Sequence, residues 1–202
     1  MKFLISSSVL ASLATLSNVC STDSTLPVLS KIKVTVTESQ MIGIATDRYK
    51  VARVGGPVTA EDSGEITFLI AARDLVALSK QFGRVGSLEV TIDLLGETMR
   101  LSSNSGTTGL CMIETEVGPY PAVDKLLDQI LMGDRADVCM IGVNPAYLLA
   151  LSKVRNAGNL KIGKFDPVFL EFNGPRKAFT LANTQELPTG EVLDRVIMPV
   201  NC

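Results

Sequence analysis

A strand followed directly by a helix occurs three times in this sequence, and this repeat limits the folds that the chain can adopt. The clearest copy is TFLIAARDLVALSKQF at residues 67–82, where consecutive apolar residues are followed by apolar residues at helical spacing. A copy at residues 2–18 lies 65 positions earlier, and one at residues 140–154 lies 73 positions later, with apolar residues at matching places. An internal repeat of this kind indicates a fold assembled from similar supersecondary units.

The intervals between the copies read as strands joined by short turns. Alternating apolar and polar residues in KIKVTVTES at 31–39 predict a half-buried strand. Further strands are predicted at 2–5, 41–54, 68–70, 87–95, 97–103, 109–117, 159–165, 167–172, 176–183 and 193–200. The resulting β-α-β-β-β order predicts an α+β fold, with helices on one face of antiparallel sheets.

The repeat also predicts the domain organisation. Residues 1–117 hold two units and are predicted to form one complete domain, and residues 118–136, with two prolines and mixed polarity, form a connecting segment. Residues 137–202 hold one unit, whose helix is predicted to begin at Asn144-Pro145. A lone unit exposes a sheet edge, so we expect it to pack against another copy or a neighbouring chain.

The composition excludes several classes of function. A net charge of −2 gives no overall attraction to nucleic acid, so DNA binding would depend on local basic clusters. The absence of histidine removes the commonest metal ligand and general base. An enzyme would depend on carboxylates such as Asp47, Asp93 and Glu97, whose spacing marks no acid/base pair. We therefore predict neither an enzyme nor a bound cofactor or metal.

The four cysteines favour free thiols. Cys20, Cys111, Cys139 and Cys202 are dispersed and contain no C-x-x-C pair. A zinc site or a disulfide framework therefore has little support, and reduced thiols in a cytoplasm are the simpler interpretation.

The amino terminus allows a second interpretation, as a secretory signal or as a lipoprotein signal with Cys20 as the acceptor. Asn18 and Val19 stand where small residues are required, and four serines interrupt the apolar core. The first copy of the repeat explains the same residues, and no stretch reaches the roughly 18 apolar residues that cross a bilayer. We therefore predict a cytoplasmic protein without a membrane partner.

Four stretches resemble the bacterial DNA polymerase III beta sliding clamp family, in the family's order. IATDRYKVA at 44–52 is similar to a signature of the family's central domain, and TEVGPYPAVDKLL at 115–127 to the run that joins its second and third domains. IGVNPAYLLAL at 141–151 is similar to the start of a strand-helix unit in the third domain, and RVIMPV at 195–200 to the closing strand.

The resemblance also identifies departures from the family. The resemblance implies six such units in a full clamp chain, whereas this chain has three. It therefore looks like a shortened clamp of the kind a phage or plasmid would encode. Ala122 replaces an aspartate of the family's run, and Asn201 stands where the closing arginine is usual. These departures weaken individual site assignments more than the family resemblance itself.

The family resemblance implies a hydrophobic cleft that receives short peptides from polymerases and other replication proteins. Apolar side chains would bury Leu and Phe anchors of the peptide, while Lys50 and Thr46 would hold its backbone or polar groups. The implied walls are Thr46, Asp47, Arg48, Tyr49, Lys50, Val51, Pro121, Lys125, Leu126, Val196, Ile197, Met198, Pro199 and Val200. Without the resemblance, these stretches would be interpreted as an ordinary turn and an ordinary core strand.

The resemblance further implies helices that face double-stranded DNA without reading its sequence. The basic residues on or just after the second and third helices are Arg73, Lys80, Arg84, Lys153 and Arg155. The first helix carries no basic residue. A few lysines and arginines also occur on any solvated helix face, so these residues alone are weak evidence.

Two functions are compatible with these patterns. The first is a processivity factor that tethers a polymerase to DNA as a homo-oligomeric ring or partial ring, with a clamp loader as a further candidate partner. The second is an adaptor or decoy that binds replication-protein peptides without encircling DNA. The oligomeric state distinguishes them.

Overall fold

The computed structural model describes residues 1–61, 63–83, 85–118, 120–132, 143–155, 157, 169–172, 178–182 and 190–198. The strands are β1 (Lys2–Ser6), β2 (Lys31–Val36), β3 (Gln40–Thr46), β4 (Lys50–Pro57), β5 (Thr59–Ala60), β6 (Ile66–Ala71), β7 (Ser87–Asp93), β8 (Thr98–Ser103), β9 (Thr108–Glu114), β10 (Phe169–Phe172), β11 (Phe179–Ala182) and β12 (Val192–Ile197). The helices are α1 (Ser7–Ala14), α2 (Ala72–Phe82), α3 (Val123–Leu131) and α4 (Pro145–Ser152). Short 3₁₀ turns cover Thr15–Asn18 and Pro27–Ser30.

The first two units exchange their first strands. The strand order is β10-β11-β12-β4-β3-β2-β6-β9-β8-β7-β1-β5. β1 pairs antiparallel with β7 of the second unit, and β6 pairs antiparallel with β2 of the first unit. The two units are therefore interlocked through their backbones, and β12 of the third unit extends the same sheet by pairing with β4.

Helices α1 and α2 pack against each other and against the apolar side of the sheets. The Ser6 hydroxyl caps α1 by accepting a bond from the Val9 N–H at 3.3 Å. Apolar residues at helical spacing then enter the core, where Leu10, Leu13 and Phe82 are almost completely buried. The predicted α+β fold is confirmed, with the helices of the repeated units on one side of antiparallel sheets.

Two helices differ from the sequence-based prediction. The sequence pattern predicts that the first helix runs to about Cys20, but α1 ends at Ala14 and continues as a 3₁₀ turn to Asn18. Hydroxyl and amide side chains bond there to carbonyls one turn back, from Thr15 to Ser12 at 2.6 Å and from Asn18 to Thr15 at 2.7 Å. Such bonds compete with regular helix geometry.

The segment predicted to be only a connection contains α3. Its apolar stripe is short, because only Val123 and Leu127 of this helix are buried. The strand predicted at 159–165 lies outside the described residues, as do residues 141–142 before α4. None of the described helices has both the length and the apolar character that a membrane-spanning helix needs.

Gly43 provides a test of how tightly the first helix packs on β3. A Cβ atom at this position would lie 2.6 Å from Leu13 Cδ2 and 2.9 Å from Leu16 Cδ1, and both leucines are fully buried. We expect Gly43→Ala to lower the free energy of unfolding by about 1–3 kcal/mol, because the core has no room for the extra methyl group.

Chemical denaturation of Gly43→Ala and Gly86→Ala would measure this effect. A Cβ at Gly86 meets no atom within 4 Å, so this control should change stability by less than about 0.5 kcal/mol. Equal unfolding midpoints for the two variants would show that α1 does not press on β3.

Candidate functional site

The turn between β3 and β4 is stabilised by hydrogen bonds from its own side chains. The Asp47 carboxylate accepts bonds from the Tyr49 and Lys50 N–H groups at 3.1 and 3.0 Å. The Thr46 hydroxyl donates to the Lys50 carbonyl at 2.9 Å and accepts from the Arg48 N–H at 3.2 Å. Arg48 lies in the left-handed region with φ 80°, a conformation that costs energy for a residue with a Cβ atom. The turn is therefore rigid, and it projects the Arg48 and Tyr49 side chains outward.

Lys50 joins this turn to α4. Its ammonium is paired with the Asp47 carboxylate and lies 5.6 Å from the centre of the Tyr147 ring. The Tyr147 ring also stacks on Tyr49, with ring centres 5.8 Å apart and planes 13° apart. Tyr147 was not among the predicted site residues, although it lies within the stretch at 141–151 that resembles the family. Its contact with a residue 98 positions away has no local signal in the sequence.

The end of β12 reaches the same turn, as the resemblance implies. Val196 is paired with Val51 and Ile197 with Lys50 across the two strands. Beyond the strand, the Met198 N–H donates to the Tyr49 carbonyl at 2.8 Å. Two predicted stretches that are about 145 residues apart in the sequence therefore meet at one corner of the sheet.

The opposite side of these strands is covered by the segment around α3. Val51 and Val196 share a buried apolar cluster with Tyr120 and Leu127, to which the partly buried Met198 adds its side chain. The Tyr120 hydroxyl donates to the Ile44 carbonyl at 3.1 Å. Burial raises the pKa of Tyr120, so the phenol stays protonated as a donor.

Ion pairs hold α3 on the sheet. Asp124 pairs with Lys33, and Asp128 accepts a bond from Arg53 Nη1 at 2.8 Å. Arg53 Nε also contacts Asp194 of β12 at 2.7 Å, so one guanidinium joins three elements of the fold. The position of α3 over Val51 and Val196 is thus determined by charge as well as by apolar contact.

The burial of the predicted cleft residues divides them into a surface and a floor. Val51, Val196 and Ile197 are at most 2% exposed, so they support the site without forming its surface. Thr46 and Lys50, predicted to hold a peptide, are buried and engaged in the turn.

The exposed part of the site is smaller than the predicted set. Arg48 and Lys125 are exposed, Tyr49 is 50% exposed, and Pro121, Leu126 and Met198 are partly exposed. Leu127, adjacent to the predicted Leu126, is the residue of that pair that enters the buried cluster. Pro199 and Val200 lie outside the described residues.

A groove of about 350 Å³ separates the turn from residues 18–23. Its lining consists of Asn18, Cys20, Ser21, Thr22, Asp23, Asp47, Arg48, Tyr49 and Lys50. Burial raises the pKa of the Cys20 thiol to about 12, so this sulfur is a poor nucleophile at neutral pH. Among the described residues, no group of three cysteine, aspartate or glutamate side chains is arranged to hold a metal ion.

The basic residues predicted to face DNA differ in exposure. Arg73, Lys80 and Lys153 are exposed, and Arg73 Nε lies 3.5 Å from the neighbouring Asp74 carboxylate. Arg155 is only partly exposed and lies close to Arg195. Burial and the charge of Arg155 lower the pKa of Arg195 to about 10. Arg84 is outside the described residues.

Tyr120→Phe is expected to lower the free energy of unfolding by about 0.5–1.5 kcal/mol, because it removes the hydroxyl's bond to the Ile44 carbonyl. Tyr49→Phe removes a hydroxyl from a ring that is 50% exposed and should change stability by less than about 0.5 kcal/mol. Urea denaturation of both variants measures the difference. An unchanged Tyr120→Phe would mean that this bond does not anchor the α3 segment.

Comparison with known proteins places this geometry in a family. A family model described as the N-terminal domain of the DNA polymerase III beta subunit matches residues 1–124. The beta sliding clamp of Micrococcus luteus is 30% identical over 110 residues, which are 54% of this chain and 34% of that protein.

Solved structures of sliding clamps share the fold. A DNA polymerase sliding clamp from Pseudomonas aeruginosa superposes with a TM-score of 0.74 at 11% identity, covering 100% of this chain and 67% of that one. One from Bacillus subtilis has a TM-score of 0.72 at 16% identity, covering 100% and 64%. The chain thus matches about a third of the length of the curated relative and about two thirds of the solved clamps.

The comparison also changes one detail of the motif assignment. The stretch at 44–52 resembles a central-domain signature, whereas the model that matches residues 1–124 is that of the N-terminal domain. A nine-residue turn between two strands can recur in each copy of a repeated unit, so it does not identify which domain carries it.

The match extends over more than half of the residues, and this chain belongs to the DNA polymerase III beta subunit family.

Proposed function

We propose that this chain is a non-enzymatic processivity factor, a sliding clamp that tethers a DNA polymerase to DNA and binds replication-protein peptides. The observation that carries the peptide site is the convergence of Tyr49, Met198 and Tyr147 on one rigid turn. These residues come from three separate stretches of the chain, and each leaves part of its apolar surface open.

The surface suits an extended peptide with apolar anchors. Tyr49 and Tyr147 offer a stacked aromatic wall, and Met198, which packs on the α3 side of the same turn, can adapt to the shape of a Leu or Phe side chain. Exposed Arg48 and Lys125 would attract acidic residues of the same peptide. The turn is already fixed by its internal hydrogen bonds, so little ordering cost accompanies binding.

A titration with a fluorescent peptide carrying spaced Leu and Phe anchors tests this site. We expect a dissociation constant in the micromolar range, about 8 kcal/mol of binding free energy. The same peptide with both anchors replaced by alanine is the control and should not saturate the protein. Equal binding of the two peptides would refute recognition through apolar anchors.

The DNA role rests on the exposed cations of α2 and of the turn after α4. Arg73, Lys80 and Lys153 would contact phosphates of double-stranded DNA, without contact to base edges and hence without sequence dependence. Several chains are needed to surround a duplex, so we propose a homo-oligomer, with a clamp loader as a further partner. The proposed domains remain residues 1–117 and 137–202, with 118–136 between them.

A second candidate, an adaptor that binds peptides without encircling DNA, is favoured by one observation. α1 packs beside α2 but contains no lysine or arginine, so one of the two helices of the first domain offers DNA no positive charge. Retention on circular DNA separates the two functions, whereas peptide binding is common to both.

A further inference from the structure

Arg53 lies on β4, two residues beyond the floor of the candidate site. Residues two apart on a strand point to the same face, so Arg53 and Val51 both face α3. On the neighbouring strand β12, Val51 is paired with Val196 and Arg53 with Asp194. The Arg53 side chain is 21% exposed, so most of it is covered by its neighbours. Arg53 therefore continues the floor of the site and adds a positive charge to it.

The guanidinium of Arg53 contacts two carboxylates from different elements. Its Nε atom lies 2.7 Å from Asp194 Oδ2 of β12, and its Nη1 atom lies 2.8 Å from Asp128 Oδ1 of α3. Asp194 is 19% exposed and is shielded about as well as Arg53, whereas Asp128 is 52% exposed. A planar guanidinium presents its N–H donors in fixed directions, so the two contacts together set where Asp128 lies relative to Asp194.

Each carboxylate is close in sequence to an exposed part of the peptide surface. Met198 follows Asp194 by four residues, and Leu126 precedes Asp128 by two residues in α3. A shift of either carboxylate would therefore move a residue that is proposed to contact the peptide.

α3 depends on a small number of contacts for its position. Val123 and Leu127 are the only buried residues of this helix. One further ion pair joins Asp124 to Lys33 of β2. Apolar contact is non-directional, so the charged hydrogen bonds decide where α3 lies along the sheet.

We propose that Arg53 is a positioning residue for the peptide site, which holds α3 and the end of β12 at the separation at which both contact one peptide. Arg53 itself does not touch the peptide. The inference rests on the proposed peptide-binding function and adds a residue outside the predicted cleft. The stretch at 44–52 that resembles the family ends one residue before Arg53, so the resemblance assigns this arginine no role.

Fluorescence titration of Arg53→Met with the peptide that carries Leu and Phe anchors tests the proposal. Methionine keeps much of the aliphatic stem but has no charge, so both ion pairs are lost while packing is largely retained. We expect the affinity to fall about three- to thirtyfold, the range for residues that act on a ligand without touching it. Arg53→Lys keeps a positive charge without the planar fork and should recover part of this loss.

Lys31→Met is the matched control. Lys31 is 23% exposed and pairs with Glu114, so this change also removes a shielded cation, from an ion pair that involves neither α3 nor β12. Gly43→Ala, whose expected loss of stability arises from packing under α1, is the control for destabilisation alone. Both controls should bind the peptide with wild-type affinity, and circular dichroism should show that every variant is folded.

A double-mutant cycle separates positioning from a general effect of charge. Asp194→Leu should weaken peptide binding by itself, but it should cause no further loss in the Arg53→Met background, because both changes remove the same contact. Additive losses would contradict positioning through this pair.

Amide hydrogen exchange without peptide gives a measurement that does not depend on peptide binding. Arg53→Met should speed exchange across α3 and at the Met198 N–H, whereas Lys31→Met should leave both at the wild-type rate. Wild-type exchange in Arg53→Met would overturn the proposal. A wild-type chain that binds no peptide would refute the proposed function and this inference with it, whereas normal binding by both wild type and Arg53→Met would overturn this inference alone.

Discussion

Replacing Met198 by glutamate is expected to weaken binding of a peptide with Leu and Phe anchors by at least tenfold. Met198 follows β12 directly, and its backbone N–H is held 2.8 Å from the Tyr49 carbonyl, so its side chain cannot move far from the turn. A carboxylate at this place would lose water against the apolar anchors of the peptide. A tenfold loss corresponds to about 1.4 kcal/mol, well within the cost of that desolvation.

Met112→Glu provides the matched control for this measurement. Met112 is 61% exposed on the outer side of β9, and the change introduces the same charge away from the turn. Fluorescence titration should show unchanged affinity for this control, and circular dichroism should show that both variants are folded. Wild-type affinity in Met198→Glu would place the peptide site elsewhere on the molecule.

The repeat allowed most helices and strands to be predicted because each unit keeps its apolar spacing. α2 and α4 begin where the sequence pattern places them, and Asn144 caps α4 by accepting a bond from the Ala146 N–H at 2.9 Å. α3 could not be recognised in the same way. Its contacts with Lys33 and Arg53 are ion pairs to strands more than seventy residues earlier, and these leave no period in the local sequence.

The candidate site was predictable only through the family resemblance. The resemblance brought residues 46–51 together with 196–198, and the pairing of Val51 with Val196 agrees with it. These two valines are buried by Tyr120 and Leu127, which belong to a different part of the chain and pack against the same side of the sheet. A resemblance identifies positions and not their exposure. It therefore could not show which predicted residues are buried beneath the site and which form its surface.

Removal of three exposed charges, in the variant Arg73→Ala, Lys80→Ala, Lys153→Ala, is expected to abolish or greatly shorten retention on nicked circular DNA. All three side chains are exposed on or next to α2 and α4. Arg155 is left unchanged, because it is partly buried beside Arg195 and its loss would also disturb packing. At about 0.1 M salt the screening length is about 10 Å, so direct contacts to phosphates still contribute to binding.

The form of the salt dependence makes this prediction specific. Each phosphate contact steepens the dependence of log affinity on log salt by about 0.9, so the triple variant should show a shallower slope per chain. DNA sequence should have no influence, because phosphate contacts carry no base information. Peptide affinity should stay at the wild-type value, since none of the three residues lies at the turn formed by residues 46–50.

Arg100→Ala is the control for loss of a positive charge. Arg100 is exposed on β8, whose neighbours Met99 and Leu101 point to the side that carries the helices, so its guanidinium lies on the opposite side. Its removal should leave retention unchanged. If the triple variant stays on circles as long as wild type while folded and competent for peptide, these helices do not face DNA. The peptide-binding adaptor would then be the better description, because the fold and the turn would remain while the tether would have no contact with the duplex.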